Sequence, residues 1–163
     1  MFILGHVGIT VAVARAAGGG IDLRLPILLS VLPDILDKPS AFLDLAFTHE
    51  NTRNVGHSRV GAAIVLAVLL ALRARRPMLL WACYLGHFLL DRLWLNDNPI
   101  IALWPLLGPF PTPMREITIE SRLFAYNILG EFAGLFILVS LGWRHRLFER
   151  ARFGAFLKTG RLA

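Results

Sequence analysis

The stretch from Tyr84 to Asp91 reads YLGHFLLD and sets two polar side chains in an otherwise apolar segment. His87 and Asp91 are four residues apart, so on an α-helix they lie on one face, about one turn apart. An imidazole and a carboxylate together suit a borderline divalent cation such as zinc. Ionisable groups in segments this apolar rarely occur without partners and a function. The stretch therefore predicts a helix that carries part of a metal site.

The composition around this stretch is typical of a membrane protein. Of the 163 residues, 56% are hydrophobic and only 17% are charged, whereas a soluble domain carries about 25% charged residues. The formal net charge of +6 is compatible with nucleic-acid binding, but the positive residues lie in turns and in the tail, and no nucleic-acid motif is present. The single cysteine, Cys83, lies in an apolar run and is predicted to be buried. One cysteine excludes both a disulfide within the chain and a cysteine-rich metal site.

Five apolar segments predict an all-α integral membrane bundle of about five membrane helices. A run of three glycines at 18–20 ends the first segment, and Pro26 and Pro77 suit the first turns of the second and fourth. Only the fifth has the roughly 20 residues of a standard membrane span. The shorter ones require flanking arginines, local thinning of the bilayer or burial among neighbours. The predicted segments are Phe2–Ala17, Pro26–Leu36, Arg59–Leu72, Pro77–Leu93 and Leu123–Trp143.

The distribution of arginines predicts the orientation of this bundle. The turn from Arg73 to Arg76 and the tail at 144–163 are both rich in arginine, which places both in the cytoplasm. The N-terminus is then outside and the C-terminus inside, in a multi-pass protein of the cell (inner) membrane. This divides the chain into a membrane-embedded domain, 1–143, and a basic cytoplasmic tail, 144–163. His145 and its arginine neighbours are expected to meet anionic lipid head groups.

Six metal-capable side chains fall at the outer end of the segments in this topology. Asp34 and Asp37 share a helical face if the second helix continues past Pro33. Each residue has an ordinary alternative, such as a solvated acid at a helix end or a histidine in a surface loop. Their common location favours a site for one or two divalent ions, most plausibly zinc. The predicted ligands are His6, Asp34, Asp37, His57, His87 and Asp91.

Other polar residues are candidates for roles beside such a metal. Arg53, with Arg92 as a second candidate, could hold an anionic substrate oxygen. Asp37 and Glu131 are candidate general bases, although Glu131 could instead support a ligating histidine or hydrogen-bond between helices. His49 is a further candidate ligand or proton carrier. The segment 96–122 is expected to cover the outer face as a lid or a membrane anchor, with Trp94, Trp104 and Phe110 at the interface.

Four motifs follow one another between residues 5 and 105: Gly5-His6, Leu32-Pro-Asp-Ile-Leu-Asp37, His57-Ser58, and Gly86-His87-Phe-Leu-Leu-Asp91 followed by Leu103-Trp-Pro105. In this order they resemble a family of predicted membrane-bound metal-dependent hydrolases of bacterial and archaeal inner membranes. That family usually shows His-Arg-Gly-x-Thr-His-Ser, where this chain has Thr52, Asn54 and Gly56 at three of the positions. One possible ligand is therefore missing unless His49 replaces it. The His-x-x-x-Asp pattern is also remotely similar to the all-helical zinc-dependent phospholipase C and P1 nuclease group, which implies a phosphoester substrate.

The resemblance and the donor chemistry together predict a membrane-bound metal-dependent hydrolase. Its expected substrate is a phosphoester or lipid-like molecule at the extracytoplasmic membrane surface, and membrane lipids are its expected partners. Two alternatives remain open. Intramembrane His, Asp and Glu also build ion pathways, as in a metal-ion or solute transporter. A closed four-ligand site would instead indicate a structural protein whose metal staples helices. The sequence gives no indication of an oligomeric state.

Overall fold

The computed structural model describes residues 3–18, 20–42, 53–93, 98–108 and 125–162, and within these ranges every regular element is helical. This confirms the all-α prediction for the described part of the chain. The elements are α1 (Ile3–Ala16), α2 (Arg24–Phe42), a 3-10 turn (Val55–His57), α3 (Arg59–Ala71), α4 (Pro77–Leu90), α5 (Asn98–Ala102), α6 (Ala125–Arg144) and α7 (Arg150–Thr159).

The five predicted helices are present, with different ends. The second helix continues through Pro33 and Pro39 to Phe42, so the predicted end at Leu36 was wrong. The fourth ends at Leu90 and not at Leu93, because Arg92 adopts a left-handed backbone with φ of 54°. The helices α5 and α7 were not predicted, since neither is a long apolar segment.

The core lies between α1, α2, α3 and α4. Val11, Leu29, Val65 and Leu80, one from each of these helices, belong to one cluster of buried side chains. Cys83 is 4% exposed within the same cluster, which confirms its predicted burial. Tyr84 is fully buried there and donates its hydroxyl to the carbonyl of Gly56. This hydrogen bond fixes the 3-10 turn against α4.

Two glycines allow α1 and α6 to pack backbone to backbone. A Cβ added to Gly8 would collide with Gly134, and a Cβ added to Gly134 would collide with Leu4 and Gly5. Close helix crossings through small residues are characteristic of membrane helix pairs, in which van der Waals packing replaces the hydrophobic effect. The close contact between α1 and α6 through glycines therefore resembles the packing of membrane helix pairs.

Among the described helices, α6 has both the length and the hydropathy to cross a membrane. Only 11% of its apolar window is buried, and Leu129, Phe132, Phe136 and Trp143 are each at least 66% exposed. An exposed apolar surface of this extent suits lipid contact and not a soluble core. The helices α1, α3 and α4 are apolar but have only 14, 13 and 14 residues. The five-span, N-out topology therefore stays a prediction.

The C-terminal residues fold back on the bundle. Arg24 donates to the carbonyls of Leu157 and Lys158, at 3.0 and 3.1 Å, and the Leu23 amide donates to the Gly160 carbonyl at 2.8 Å. These bonds occupy the last carbonyls of α7, which a helix end leaves without partners. The predicted tail at 144–163 is thus joined to the start of α2 by hydrogen bonds.

Candidate metal centre

Four side chains bring one donor atom each to a common point. They are Asp34 of α2, His57 of the 3-10 turn, His87 of α4 and Asp91 at the end of α4, and their donor atoms lie within 4.8 Å of one another. The two histidine Nε2 atoms are 3.1 Å apart. Asp34 Oδ1 lies 3.6 and 3.7 Å from them, and Asp91 Oδ2 lies 3.8 and 3.6 Å from them. The predicted pair His87 and Asp91 therefore lies on one face of α4 and points into this centre.

The outer nitrogen of each histidine fixes the state of the inner one. His57 Nδ1 lies 2.7 Å from Asp37 Oδ2, and His87 Nδ1 lies 2.7 Å from the Ser30 carbonyl. A carboxylate and a carbonyl only accept hydrogen bonds, so both Nδ1 atoms carry the proton. In the neutral imidazoles, both Nε2 atoms then present lone pairs to each other and to two carboxylate oxygens. A cation between these four acceptors would satisfy them together.

The spacing of the four acceptors fits a small divalent metal. With ligands at about 2.0–2.1 Å, a tetrahedral zinc ion has ligand–ligand edges of about 3.3–3.4 Å. Five of the six donor separations span 3.1 to 3.8 Å, and the sixth, between the two carboxylate oxygens, is within 4.8 Å. Two histidines that each donate an outer N–H to a carboxylate or carbonyl are also the usual support for a zinc site. The residues present therefore fit a divalent cation, and zinc is compatible with their chemistry.

Asp37 lies behind His57 and not among the four donors. Its carboxylate accepts three backbone N–H bonds, from Asn54 at 2.7 Å, Gly56 at 2.8 Å and His57 at 3.0 Å, besides the bond from His57 Nδ1. The carboxylate is 4% exposed. These bonds fold the loop before α3 around a buried charge. Asp37 was predicted as a ligand and a general base, but the structure places it as the residue that orients His57.

His6 also lies beside the four-donor set. Its Nε2 donates to Asp91 Oδ1 at 3.0 Å, on the opposite oxygen from the one that faces the centre. Its ring stacks on His87, with centroids 3.9 Å apart and planes 11° apart. The ring is fully buried, and its Nδ1 has no hydrogen-bond partner among the described residues. The predicted ligand His6 therefore orients Asp91 and packs against His87.

Two cationic side chains line the exposed side of the centre. Arg53 Nη2 lies 3.1 Å from Asp91 Oδ2, and its side chain is 22% exposed. Lys38 Nζ lies 2.6 Å from Asp34 Oδ2, and its side chain is 46% exposed. Both groups are therefore partly exposed beside the donor carboxylates, and the substrate-binding role of Arg53 stays a prediction.

Two contributors were absent from the sequence prediction. The position of Lys38, four residues after Asp34 in an apolar helix, was the available signal for it. The Ser30 carbonyl gave no signal, because any residue type supplies a carbonyl. Ser58 caps α3, since its hydroxyl accepts the Gly61 amide at 3.2 Å and donates to the Val55 carbonyl at 2.7 Å.

Two further candidates, Glu131 and Arg92, contact other groups. Glu131 accepts the backbone amides of Leu4 at 3.1 Å and Gly5 at 2.9 Å, which is the hydrogen bond between helices considered above. A general-base role for Glu131 stays a prediction. The Arg92 guanidinium lies over the Tyr126 ring, 3.4 Å from its centroid. His49, Trp94, Phe110 and most of the segment 96–122 lie outside the described residues, whereas Trp104 follows α5 and is half-buried.

The comparisons with known proteins are consistent with the exposed apolar helix α6. No curated protein and no solved structure matches the chain. A family model described as YdjM inner membrane protein matches residues 1–155, a range that includes all of the residues of the metal centre. The chain therefore belongs to the YdjM inner membrane protein family.

Proposed function

We propose that this chain is a membrane-bound hydrolase that uses one zinc ion held by Asp34, His57, His87 and Asp91. The observation that carries the proposal is the set of four facing acceptor atoms, two of them histidine nitrogens whose protons are held on the far side of the ring. Zinc supplies a Lewis acid that lowers the pKa of a water molecule and polarises a scissile phosphoryl or carbonyl oxygen.

The residues around the donors suit an anionic substrate. Arg53 and Lys38 are both partly exposed beside the two ligating carboxylates. A guanidinium binds two oxygens of a phosphate at once, and an ammonium adds a second point of positive charge. We infer that they hold the anionic oxygens of a phosphoester or lipid-like substrate that approaches from the extracytoplasmic membrane surface.

The buried residues keep the donors in position. Asp37 holds the His57 ring by Nδ1, and His6 holds Asp91 by its second oxygen. The carbonyl of Ser30 holds His87. Each bond leaves the inner atom of the ligand facing the centre, so the site is organised before a metal arrives.

A structural metal site is the second candidate, and the number of donors favours it. Four protein ligands in a tetrahedron describe a closed structural zinc site, whereas catalytic sites usually have three and an open position. The donors also come from α2, the 3-10 turn and α4, so a metal would join elements that are far apart in the sequence. The hydrolase proposal requires that zinc accept a fifth ligand or exchange one carboxylate.

Metal analysis and hydrolysis assays on purified protein separate these candidates. We expect about one zinc per chain in the wild type and loss of zinc in the double variant His87→Ala, Asp91→Ala. We expect zinc-dependent hydrolysis of bis(4-nitrophenyl) phosphate or of phospholipids in mixed micelles. Arg53→Gln should keep its zinc and lose most of this activity, while Arg59→Gln, an exposed arginine of α3, should keep both.

Two outcomes would contradict the proposal. A wild-type protein without zinc, or with the same zinc content as the double variant, would remove the metal centre. A zinc-loaded wild type that hydrolyses no phosphoester, but melts at a lower temperature once zinc is removed, would establish the structural role instead.

A further inference from the structure

A second polar site lies at the end of the bundle opposite the metal centre. It is a cavity of about 700 Å³, whose walls include the guanidinium-bearing residues Arg75, Arg76, Arg152 and Arg161. Arg76 precedes α4 and Asp91 follows it, so the length of a 14-residue helix, about 21 Å, separates the cavity from the metal centre. The cavity therefore belongs to a different site.

The charge of the cavity is strongly positive. Its one acidic lining residue, Asp22, is paired with Arg24 through bonds of 2.6 and 2.9 Å. Hydrogen bonds from the Arg24 guanidinium hold the pKa of the Asp22 carboxyl below its ordinary value. Among the described residues, neither Arg75 nor Arg152 forms an ion pair with a carboxylate within 4.0 Å. The positive charge of Arg75 and Arg152 is therefore available to an anionic ligand.

The walls of the cavity are held in place by hydrogen bonds. The bonds from Arg24 and Leu23 to the end of α7 fix that helix against the start of α2. Gly160, which ends α7, has a left-handed backbone with φ of 67°. Arg76 donates to the Gly18 carbonyl at 3.3 Å. Arg152 of α7, and Arg75 and Arg76 before α4, are therefore held around one cavity by contacts within the protein.

The other part of the wall is apolar. Ile21, Leu25, Leu80 and Leu147 line the same cavity. Trp143 and Phe148 lie beside the lining residues His145 and Leu147 in the sequence, and they are 77% and 68% exposed. An interface that combines arginines with aromatic and aliphatic side chains matches a molecule with an anionic head and apolar chains. The arginine-rich end is also the cytoplasmic end by the positive-inside rule.

We propose that this cavity binds the phosphate group of an anionic phospholipid. The arginines make bidentate hydrogen bonds to the phosphate oxygens. The apolar wall contacts the glycerol and the first methylene groups, and the acyl chains leave toward α6. The site is independent of the metal centre and of its proposed activity.

Thermal unfolding in a neutral detergent tests this proposal, with short-chain lipids as probes. We expect dioctanoyl phosphatidylglycerol to raise the melting temperature of the wild type, because a ligand that binds only the folded state stabilises it. Dioctanoyl phosphatidylcholine and inorganic phosphate at the same concentration should raise it far less. In the variant Arg75→Gln, Arg152→Gln, the concentration of phosphatidylglycerol needed for half of the effect should rise by roughly tenfold or more.

The matched control removes the same charge outside the cavity. Arg59 and Arg73 are exposed and do not line it, so Arg59→Gln, Arg73→Gln should respond as the wild type does. An equal loss in this control would overturn the cavity as the site in favour of general surface electrostatics. Equal stabilisation by inorganic phosphate would overturn the assignment to a lipid, and equal stabilisation by phosphatidylcholine would overturn the selection for an anion.

Folding of the variants is checked by helical circular dichroism and by their elution volume in gel filtration. If the double variant fails this check, Arg75→Gln and Arg152→Gln are measured singly. Wild-type responses from both single variants would overturn the proposal.

Discussion

Replacement of Asp37 by asparagine tests whether the centre depends on the residue behind its ligand. In the wild type, Oδ2 accepts three N–H groups and Oδ1 accepts the Gly56 amide. An asparagine keeps the three hydrogen bonds to Oδ2 if its side-chain oxygen takes the Oδ2 position. Its amide NH₂ then faces the Gly56 N–H at about the present 2.8 Å, which sets a donor against a donor.

The expected magnitude follows from these bonds. A hydrogen bond to a charged group contributes about 1.5–3 kcal/mol, so loss of the Gly56 bond and of the charge should cost about 2–4 kcal/mol of stability. Residues that orient metal-bound histidines contribute about 10- to 100-fold to metal affinity. We expect Asp37→Asn to weaken zinc binding within that range and not to abolish it, because the four donors remain.

The assay is zinc affinity of the purified protein, measured by competition with a chromophoric chelator, together with the melting temperature. Asp22→Asn is the matched control, because it removes a carboxylate that pairs with Arg24 at the other end of the bundle. That variant should keep wild-type zinc affinity. A folded Asp37→Asn protein with unchanged affinity would refute the role of Asp37, and complete loss of zinc would indicate that Asp37 is itself a ligand.

Three further substitutions test the supports of the fold. Glu131→Gln should lower the free energy of unfolding by roughly 1–2 kcal/mol, and with it the melting temperature, since a charged cap of two α1 amides is lost. An unchanged melting temperature would contradict the cap. Gly134→Ala should destabilise the protein strongly, because a Cβ there meets the backbone of Leu4 and Gly5, whereas Gly154→Ala should be neutral or stabilising, because its Cβ would meet nothing within 4 Å; similar thermal shifts in both would contradict the close packing of α1 and α6. Tyr84→Phe should cost about 1–3 kcal/mol, since it leaves the buried Gly56 carbonyl without its hydroxyl donor; chemical denaturation measures this, and a loss under about 0.5 kcal/mol would be too small for that bond.

The sequence predicted which residue types form the centre, but not which of them are donors and which orient the donors. His87 and Asp91 could be placed on one face of a helix because the spacing of four residues is nearly one helical turn. Asp34 and Asp37 are both on α2, and a spacing of three residues turns them by about 60° from each other. That rotation directs Asp34 to the centre and Asp37 to the loop before α3. The outcome depends on how this loop folds, and loop conformation was not accessible from the spacing.

Two errors in the predicted helices have physical causes. The end of α2 was predicted too early because a proline removes one helical hydrogen bond, yet α2 passes through two prolines. The helix α7 has only 10 residues and none is buried, so it is not a long apolar segment of the kind that predicts a membrane helix. Its position comes from Arg24 and Leu23, which are more than 130 residues away in the chain. The position of α7 is thus set by tertiary contacts and not by a local signal.

The packing of α6 gives an estimate of how deep the metal centre lies. With 20 residues, α6 is about 30 Å long, which equals the thickness of the hydrocarbon core. Glu131 is six residues from its start, about 9 Å along the helix. It binds the amides of Leu4 and Gly5, directly before His6, whose ring touches both Asp91 and His87. If α6 spans the bilayer, Glu131 is about 9 Å from the end of the helix and about 6 Å from its middle, so its contact with α1 is closer to the midplane than to the membrane surface. A transporter needs its binding site near the midplane with access from both sides, whereas a hydrolase acting on lipid head groups needs its metal at the surface. At this depth the preference for a hydrolase over a transporter rests on Arg53 and Lys38, the partly exposed cations beside the donor carboxylates.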